Sequence, residues 1–466
     1  MPFTISKPDS IKRTLLLTSL VTLSIFIALP AQSKSLVLVG GALQYPATGD
    51  PDGIAIYQKI IDLAGGTRKA KIGIFTTASS SGDAKENAKL WIEDFQELGV
   101  TDVVWIPIHT DNCSIEKNNP AIVAQIKSRT GFVFGGGDQS LITQCFFNES
   151  SKGTRTDSPA LVALRNKYEQ GAVVAGTSAG TAVQTVAPMI TEGESYEALL
   201  KGPTSLIGPP PVVRELYYNP LGGLGFFTYG LTDTHFSERG RQGRIIRLAS
   251  DLKKKMAYGV DENTALVVTN ADTPSVNMEV IGQGGTFIFD LSRARPSTRT
   301  YWSIFGVAAT YLTQEDQFNP LNKKATIAKW KSSLIGRERF TSVTSSTDIF
   351  SSLVPEPPPE QGRANPRAFV NTATYLFDSH ATTAKGRSFE SDPVLYNVRL
   401  TKSRNAGSQG FSGKNKTGML KYSFQNLIVD ITVGISYTSV NRRSNYSNNS
   451  FSCNRDALGQ NCQGGR

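Results

Sequence analysis

The sequence predicts an α/β fold built on a doubly wound, mostly parallel sheet, and three observations carry that prediction. From Ser35 onward, short β-branched runs alternate with helical stretches. These runs are apolar almost throughout, as strands are when helices cover both faces of their sheet. Several of them run straight into glycine, at the strand ends where sheets of this kind bind ligands.

In chain order, the strand Ser35–Val39 leads through Gly40-Gly41 to a helix over Asp52–Leu63. Ala70–Thr76 reads as a strand and Ala84–Leu98 as a helix, followed by strands at Asp102–Ile108, Gly131–Phe134 and Ala172–Ala175. The last two end in Gly135-Gly136-Gly137 and in Gly176. Short strands at Ala257–Val260, Ala265–Val268, Met278–Ile281 and Thr286–Phe289 complete a domain predicted over residues 35–310.

Ahead of that domain, Lys7, Lys12 and Arg13 precede the apolar run Leu15–Leu29, then Pro30 and the small residues Ala31 and Ser33. This is the pattern of a signal peptide over residues 1–33, with an uncleaved anchor as the alternative. The mature protein is therefore expected to be secreted or periplasmic and to have no membrane segment. Beyond residue 310 the composition shifts to Ser, Thr, Asn and Lys, and Pro355, Pro357, Pro358 and Pro359 mark a linker over residues 311–366. Strand-like runs at Ala373–Phe377, Val394–Leu400 and Leu427–Ile435 then predict a small β-rich C-terminal appendage over residues 367–437. An Asn- and Ser-rich tail, residues 438–466, is expected to be disordered. In an oxidising compartment the four cysteines would pair as Cys113 with Cys145 and Cys453 with Cys462, four free thiols being the alternative.

Lys and Arg number 49 against 39 Asp and Glu, a net charge of +10. The surplus forms no basic run and accompanies no aromatic nucleic-acid motif, so no nucleic-acid partner is expected. With three histidines and cysteines in no zinc spacing, neither a metal nor another cofactor is expected.

The chemistry concentrates at the strand ends. Gly176-Thr177-Ser178-Ala179-Gly180 follows a buried strand and fits G-x-S-x-G, the turn that exposes a nucleophilic serine at a helix N-terminus. Ser178 then needs a base. Of the three histidines, His380 lies in the appendage and His109 follows a strand and competes, whereas His235 sits among polar residues in Thr232–Arg239 and is preferred. A carboxylate should orient the imidazole, and Asp261-Glu262 stands at another strand end. The order serine, histidine, acid differs from that of α/β-hydrolases. The N–H groups of Gly136 and Gly137, joined by that of Ala179, are suited to an oxyanion hole.

The motifs GGGDQ at 135–139, GTSAG at 176–180, D-T-H-F-x-x-R-x-R-x-x-R from Asp233 and G-V-D-E-N-T-A from Gly259 together resemble the cyanophycinases, in the S51 group of serine peptidases that also holds aspartyl dipeptidases. The resemblance covers about residues 35–310. It implies a class I glutamine-amidotransferase-like fold, Ser178 as nucleophile, His235 as base and Glu262 as the orienting acid. It also implies Gln139, Asp233, Arg239, Arg241 and Arg244 as pocket residues.

The expected activity is hydrolysis of cyanophycin to β-aspartyl-arginine dipeptides through an acyl-enzyme on Ser178. An aspartyl dipeptidase and a catalytically silent binding protein are the alternatives. In the expected pocket, Arg239, Arg241 and Arg244 take carboxylates while Asp138, Asp233 and the acids near Glu262 meet guanidinium groups and Gln139 fixes orientation. The expected partners are cyanophycin or an aspartyl peptide and, in a homodimer, a second copy of the chain.

Overall fold

The computed structural model describes residues 1–4, 33–80, 82–149, 154–212, 214–352 and 366–434. The expected leader, most of the proline-rich stretch, the tail and the Cys453–Cys462 pair lie outside them.

Two sheets organise the chain. In the first, nine strands run in the order Lys324–Thr326, Gln317–Asn319, Asn277–Gly282, Thr264–Thr269, Leu36–Val39, Val173–Thr177, Gly131–Phe134, Lys71–Phe75, Asp102–Trp105. The last five are mutually parallel, whereas the first four join antiparallel. The parallel half explains the continuous apolar runs. Leu36 and Leu38 face a core shared with the helices Pro120–Lys127, Gln139–Phe146 and Pro159–Glu169. Val37 and Val39 face another, shared with the helices Pro51–Leu63 and Ala84–Glu97. Asp50 caps the first of these helices, its carboxylate accepting from the Gly53 N–H at 2.7 Å, and Pro51 supplies the preset φ of a first helical residue. On one face, a disulfide joins Cys113 to Cys145.

The second sheet runs Leu231–Asp233, Met256–Val260, Gly285–Asp290, Trp302–Thr313, Leu420–Gly434, Leu395–Thr401, Thr383–Arg387, with further short strands paired to it. The C-terminal strands therefore do not form a separate appendage. Trp302–Thr313, which crosses the expected boundary near residue 310, pairs antiparallel with Leu420–Gly434, and one apolar core runs from Ile190 to Ile431. Residues 311–366 are likewise more than a linker, since Gln317–Asn319 and Lys324–Thr326 close the edge of the first sheet. Such pairings join strands far apart in sequence and leave no local periodicity to read.

The run Ala373–Phe377, expected as a strand, is the end of a helix spanning Ala368–Phe377. Its buried residues Phe369, Val370, Ala373, Leu376 and Phe377 recur at helical spacing, which a window starting at Ala373 is too short to show. Among the described residues no helix is long and apolar enough to cross a membrane.

A fully buried ion pair locks the C-terminal strands to the rest. Lys331 Nζ lies 2.7 Å from Asp316 Oδ2, with both side chains 0% exposed. Lys331 also donates to Thr313 Oγ1 at 2.8 Å, the Gln314 carbonyl at 3.0 Å and Ser423 Oγ at 3.1 Å. Asp316 accepts from the Thr313 and Ala328 N–H groups at 3.0 and 2.8 Å and from the Ser423 hydroxyl. Burial pushes the Lys331 ammonium down to about 8 despite the carboxylate beside it. Removing one partner strands the other without solvent, so Lys331→Met should destabilise the fold by about 3–5 kcal/mol, read as a lowered denaturation midpoint at unchanged slope.

Candidate active site

The turn after Val173–Thr177 holds Ser178 at φ 53°, ψ −116°, a strained conformation for a residue with a side chain. It is enforced by close backbone contact. A Cβ on Gly176 would lie 2.1 Å from the Gly180 carbonyl oxygen, and one on Gly180 would lie 2.1 Å from that of Phe134. Thr181 ties the turn down, its hydroxyl reaching the Val39 and Gly176 carbonyls at 2.7 and 2.6 Å. The glycines of G-x-S-x-G are thus steric requirements of the turn.

His235 and Glu262 arrive from the second sheet, after the parallel neighbours Leu231–Asp233 and Met256–Val260. His235 has φ 48° and its N–H donates to the Gly40 carbonyl at 2.6 Å. A Cβ on Gly41 would sit 2.2 Å from His235 Cε1, so the Gly40-Gly41 pair leaves room for the imidazole. The ring bridges its partners, with Nε2 2.8 Å from Ser178 Oγ and Nδ1 2.6 Å from Glu262 Oε1. A carboxylate on Nδ1 places the ring proton there, which frees Nε2 to accept from the serine hydroxyl.

Burial depresses the His235 pKa below its ordinary 6.5, and Arg239 and Arg241 add to this while Glu262 opposes it. The hydrogen bond from His235 holds Glu262 below the usual carboxylate range. The ring is accordingly neutral and the acid ionised near pH 7. His109 makes no bond to Ser178: its backbone N–H is held by Asn112 at 2.9 Å and its ring stacks on Trp105 at 6.1 Å.

The glycine loop lies beside the serine. A Cβ on Gly136 would be 3.9 Å from Ser178 Oγ, whereas one on Gly137, at φ 133°, would strike the Ala78 carbonyl oxygen at 2.0 Å. Among the described residues, the Gly136, Gly137 and Ala179 N–H groups have no hydrogen-bond acceptor, which leaves them for a ligand.

A cavity of about 330 Å³ joins Gly137, Asp138, Gln139, Ser178, Thr191, Glu192, Asp233, His235, Arg239, Arg241 and Arg244. Every residue expected in the pocket lines it, but several are occupied by one another. Arg244 grips Asp233 through Nε at 2.8 Å and Nη2 at 2.6 Å, and donates to the Gly193 carbonyl at 2.5 Å. Burial pushes the Asp233 carboxyl up, yet Arg244 and Arg241 outweigh it and hold the group below its ordinary value. Neither Asp233 nor Arg244 is therefore free to pair with a ligand as expected, because a buried charge needs a fixed partner.

Asp138 is the N-cap of Gln139–Phe146, accepting from the Ser140 N–H at 2.7 Å. Gln139 spends its amide N–H groups on the Ile190 and Thr191 carbonyls at 2.9 and 3.1 Å. Arg241 donates to the Thr234 carbonyl at 2.8 Å. Arg241 also lies 3.6 Å from Asp233 Oδ1, and Asp138 and Glu192 line the cavity beside Arg239 and Arg241, so both signs of charge are presented there.

Sequence reasoning missed two features. A second cavity of about 330 Å³ shares Ser178 and His235 and is lined by Tyr45, which stands ahead of the first helix, and by Tyr57, Trp91 and Asp94 on the helices Pro51–Leu63 and Ala84–Glu97. Behind Glu262, Asp261 is fully buried and accepts from the Ser237 and Gly285 N–H groups at 3.0 and 3.1 Å. The adjacent acids Asp261 and Glu262 thus face opposite tasks, one turned inward to the fold and one outward to the histidine. A larger cavity of about 500 Å³, lined by Phe340, Tyr375 and residues 342–348, contains no part of the serine–histidine pair. Among the described residues no group of three or more His, Cys, Asp or Glu could hold a metal ion.

The model of peptidase family S51 matches residues 47–276. Cyanophycinase of Synechococcus elongatus is 29% identical over 222 residues, 47% of this chain and 59% of the relative. That of Geminocystis herdmanii is 27% identical over 262 residues, 55% of this chain and 80% of the relative. The match thus spans about three fifths of the length of the first of these relatives. Among solved structures, a peptidase from an acI-B1 Actinobacterium aligns with a TM-score of 0.41 at 16% identity, covering 62% of this chain and 98% of its own. A putative peptidase E from Listeria monocytogenes aligns with a TM-score of 0.35 at 11% identity, covering 54% of this chain and 100% of its own. Ser178, His235 and Glu262 all fall inside the segment, residues 47–276, that is similar to peptidase family S51.

Proposed function

We propose that the protein is a serine-type peptidase that cleaves aspartyl-linked peptides, cyanophycin first among them. The observation that carries this reading is the single imidazole hydrogen-bonded at 2.8 Å to the Ser178 hydroxyl and at 2.6 Å to the Glu262 carboxylate. Ser178 Oγ attacks the scissile carbonyl carbon while His235 Nε2 takes the hydroxyl proton and Glu262 stabilises the imidazolium. The carbonyl oxygen, now negative, meets the N–H groups of Gly136, Gly137 and Ala179. His235 then gives its proton to the leaving amine, which departs and leaves an ester on Ser178. Water, deprotonated by the same nitrogen, hydrolyses that ester and restores the serine.

The relatives' name and the cavity's charge support the substrate class. Cyanophycin carries an arginine on each side-chain carboxyl of a polyaspartate backbone. Arg239 and Arg241 suit its free carboxylates, because guanidinium forks bind carboxylates bidentately. The engagement of Asp233 with Arg244 favours a second reading, a dipeptidase that recognises an aspartyl carboxylate without an arginine branch.

Purified mature protein should release β-aspartyl-arginine from cyanophycin and leave casein intact, with products identified by mass. Equal rates on unbranched aspartyl dipeptides would favour the second reading. Export is part of the proposal, supported by the Cys113–Cys145 disulfide because such bonds persist in oxidising compartments. N-terminal sequencing of the native protein should begin near Lys34.

Ser178→Ala should lower kcat by orders of magnitude, leaving only the roughly 10³–10⁴-fold enhancement over water that binding and the oxyanion hole supply. His235→Ala should act alike and His109→Ala should not. The rate should also report the depressed imidazole. Catalysis needs His235 neutral, so activity falls as pH drops through its pKa, and a lowered pKa moves that fall below pH 6.5. An acid limb of kcat/KM above 6.5 would contradict the assignment of His235 as base.

A further inference from the structure

The carboxylate that orients His235 is braced by a side chain outside the segment matched to the family. Arg367 precedes the helix Ala368–Phe377 in a left-handed conformation, φ 63°. Its guanidinium donates to Glu238 Oε1, to Asp261 Oδ2 at 3.1 Å and to the Tyr311 hydroxyl oxygen at 2.9 Å. Tyr311 in turn donates to Asp261 Oδ2 at 2.6 Å. The other oxygen of Glu238 accepts from the backbone N–H of Glu262 at 3.1 Å. One cation thus faces two carboxylates, Glu238 at 6% and Asp261 at 0% exposure, and both hold the turn that presents Glu262.

We propose that Arg367 is a positioning residue of the active site: by neutralising Glu238 and Asp261 together it fixes the Asp261-Glu262 turn and so the bond from Glu262 to His235. The C-terminal region then works as part of the catalytic centre, an inference that rests on the peptidase reading above. Two buried carboxylates without a cation cannot both remain ionised in place. Burial and Asp261 already push Glu238 up to about 7 against the pull of Arg367, so without Arg367 it holds its proton to higher pH. When it does ionise, repulsion from Asp261 displaces it, and the Glu262 N–H loses its acceptor. The loss falls on imidazolium stabilisation and hence on kcat, because among the described residues no side-chain hydrogen bond ties Arg239, Arg241 or Gln139 to Arg367, Glu238 or Asp261. The other charged and titratable groups around Glu238 are Glu262, Tyr311 and, beyond Arg367, Lys421 on the strand Leu420–Gly434.

The test uses the full mature chain as wild type, Arg367→Met and Arg367→Met/Glu238→Gln, assayed on aspartyl substrates across pH. Glutamine keeps an acceptor for the Glu262 N–H and removes the charge. Arg367→Met should lose about tenfold or more in kcat at about pH 9, with KM within about twofold and a smaller deficit near pH 6; the double variant should recover most of the loss. The downfield proton resonance of the His235 Nδ1–H should weaken in Arg367→Met and return in the double variant, a signal that needs no turnover. Wild-type kcat and resonance in Arg367→Met at every pH would overturn the inference, as would a pH-independent loss that Glu238→Gln does not relieve. If Arg367→Met does not fold by circular dichroism, Arg367→Lys replaces it. Lysine retains the charge, and a folded Arg367→Lys as inactive as Ser178→Ala would also overturn the inference. A wild type that hydrolyses no aspartyl substrate, with the resonance behaving as expected, would sink the peptidase reading and uphold the positioning role.

Discussion

The active site depends on one close approach, the contact of the two sheets at Gly40 and Gly41. The Gly40 N–H donates to the Thr264 carbonyl at 2.9 Å, the His235 N–H to the Gly40 carbonyl at 2.6 Å and the Asn263 N–H to the Gly41 carbonyl at 2.8 Å. A Cβ on Gly40 would lie 2.0 Å from the Asp261 carbonyl oxygen. No other residue type lets the backbones meet so closely. Ser178 follows a strand of the first sheet, His235 follows one of the second and Glu262 lies in the turn that crosses from the second to the first, so this seam sets the distances between them.

Charge around the seam follows a consistent logic. Each buried ion has an opposite charge against it, Asp233 facing Arg244 and Arg241, Asp261 and Glu238 sharing Arg367, and Lys331 facing Asp316 farther off. These pairs carry the large desolvation cost of burial and are weak sources of net stability; their effect is to hold turns and strands in one arrangement. With Asp233 and Arg244 engaged with each other, the other charges lining the cavity are Asp138 and Glu192 on the acidic side and Arg239 and Arg241 on the basic side.

The elements best legible in the sequence were those with local causes. The parallel strands announced themselves because burial on both faces requires apolar runs, and the elbow because its glycines are sterically required next to a serine. The helix Ala368–Phe377 was misread because its apolar spacing shows only when Phe369 and Val370 are included. The role of Asp261 was hidden by its neighbour Glu262, since two adjacent acids look alike until one points inwards.

By itself the sequence determined the parallel core, the nucleophile's turn, the small set of candidate bases and the resemblance to peptidase family S51, each from residues within a short stretch of chain. Only the tertiary structure decided that His235 and not His109 reaches Ser178, that Asp233 and Arg244 satisfy each other, and that the C-terminal strands complete the second sheet and bring Arg367 behind Glu262. These outcomes turn on distances between residues far apart in the chain. Such distances depend on strand register and buried charge pairing, neither of which leaves a periodic trace in the order of residues.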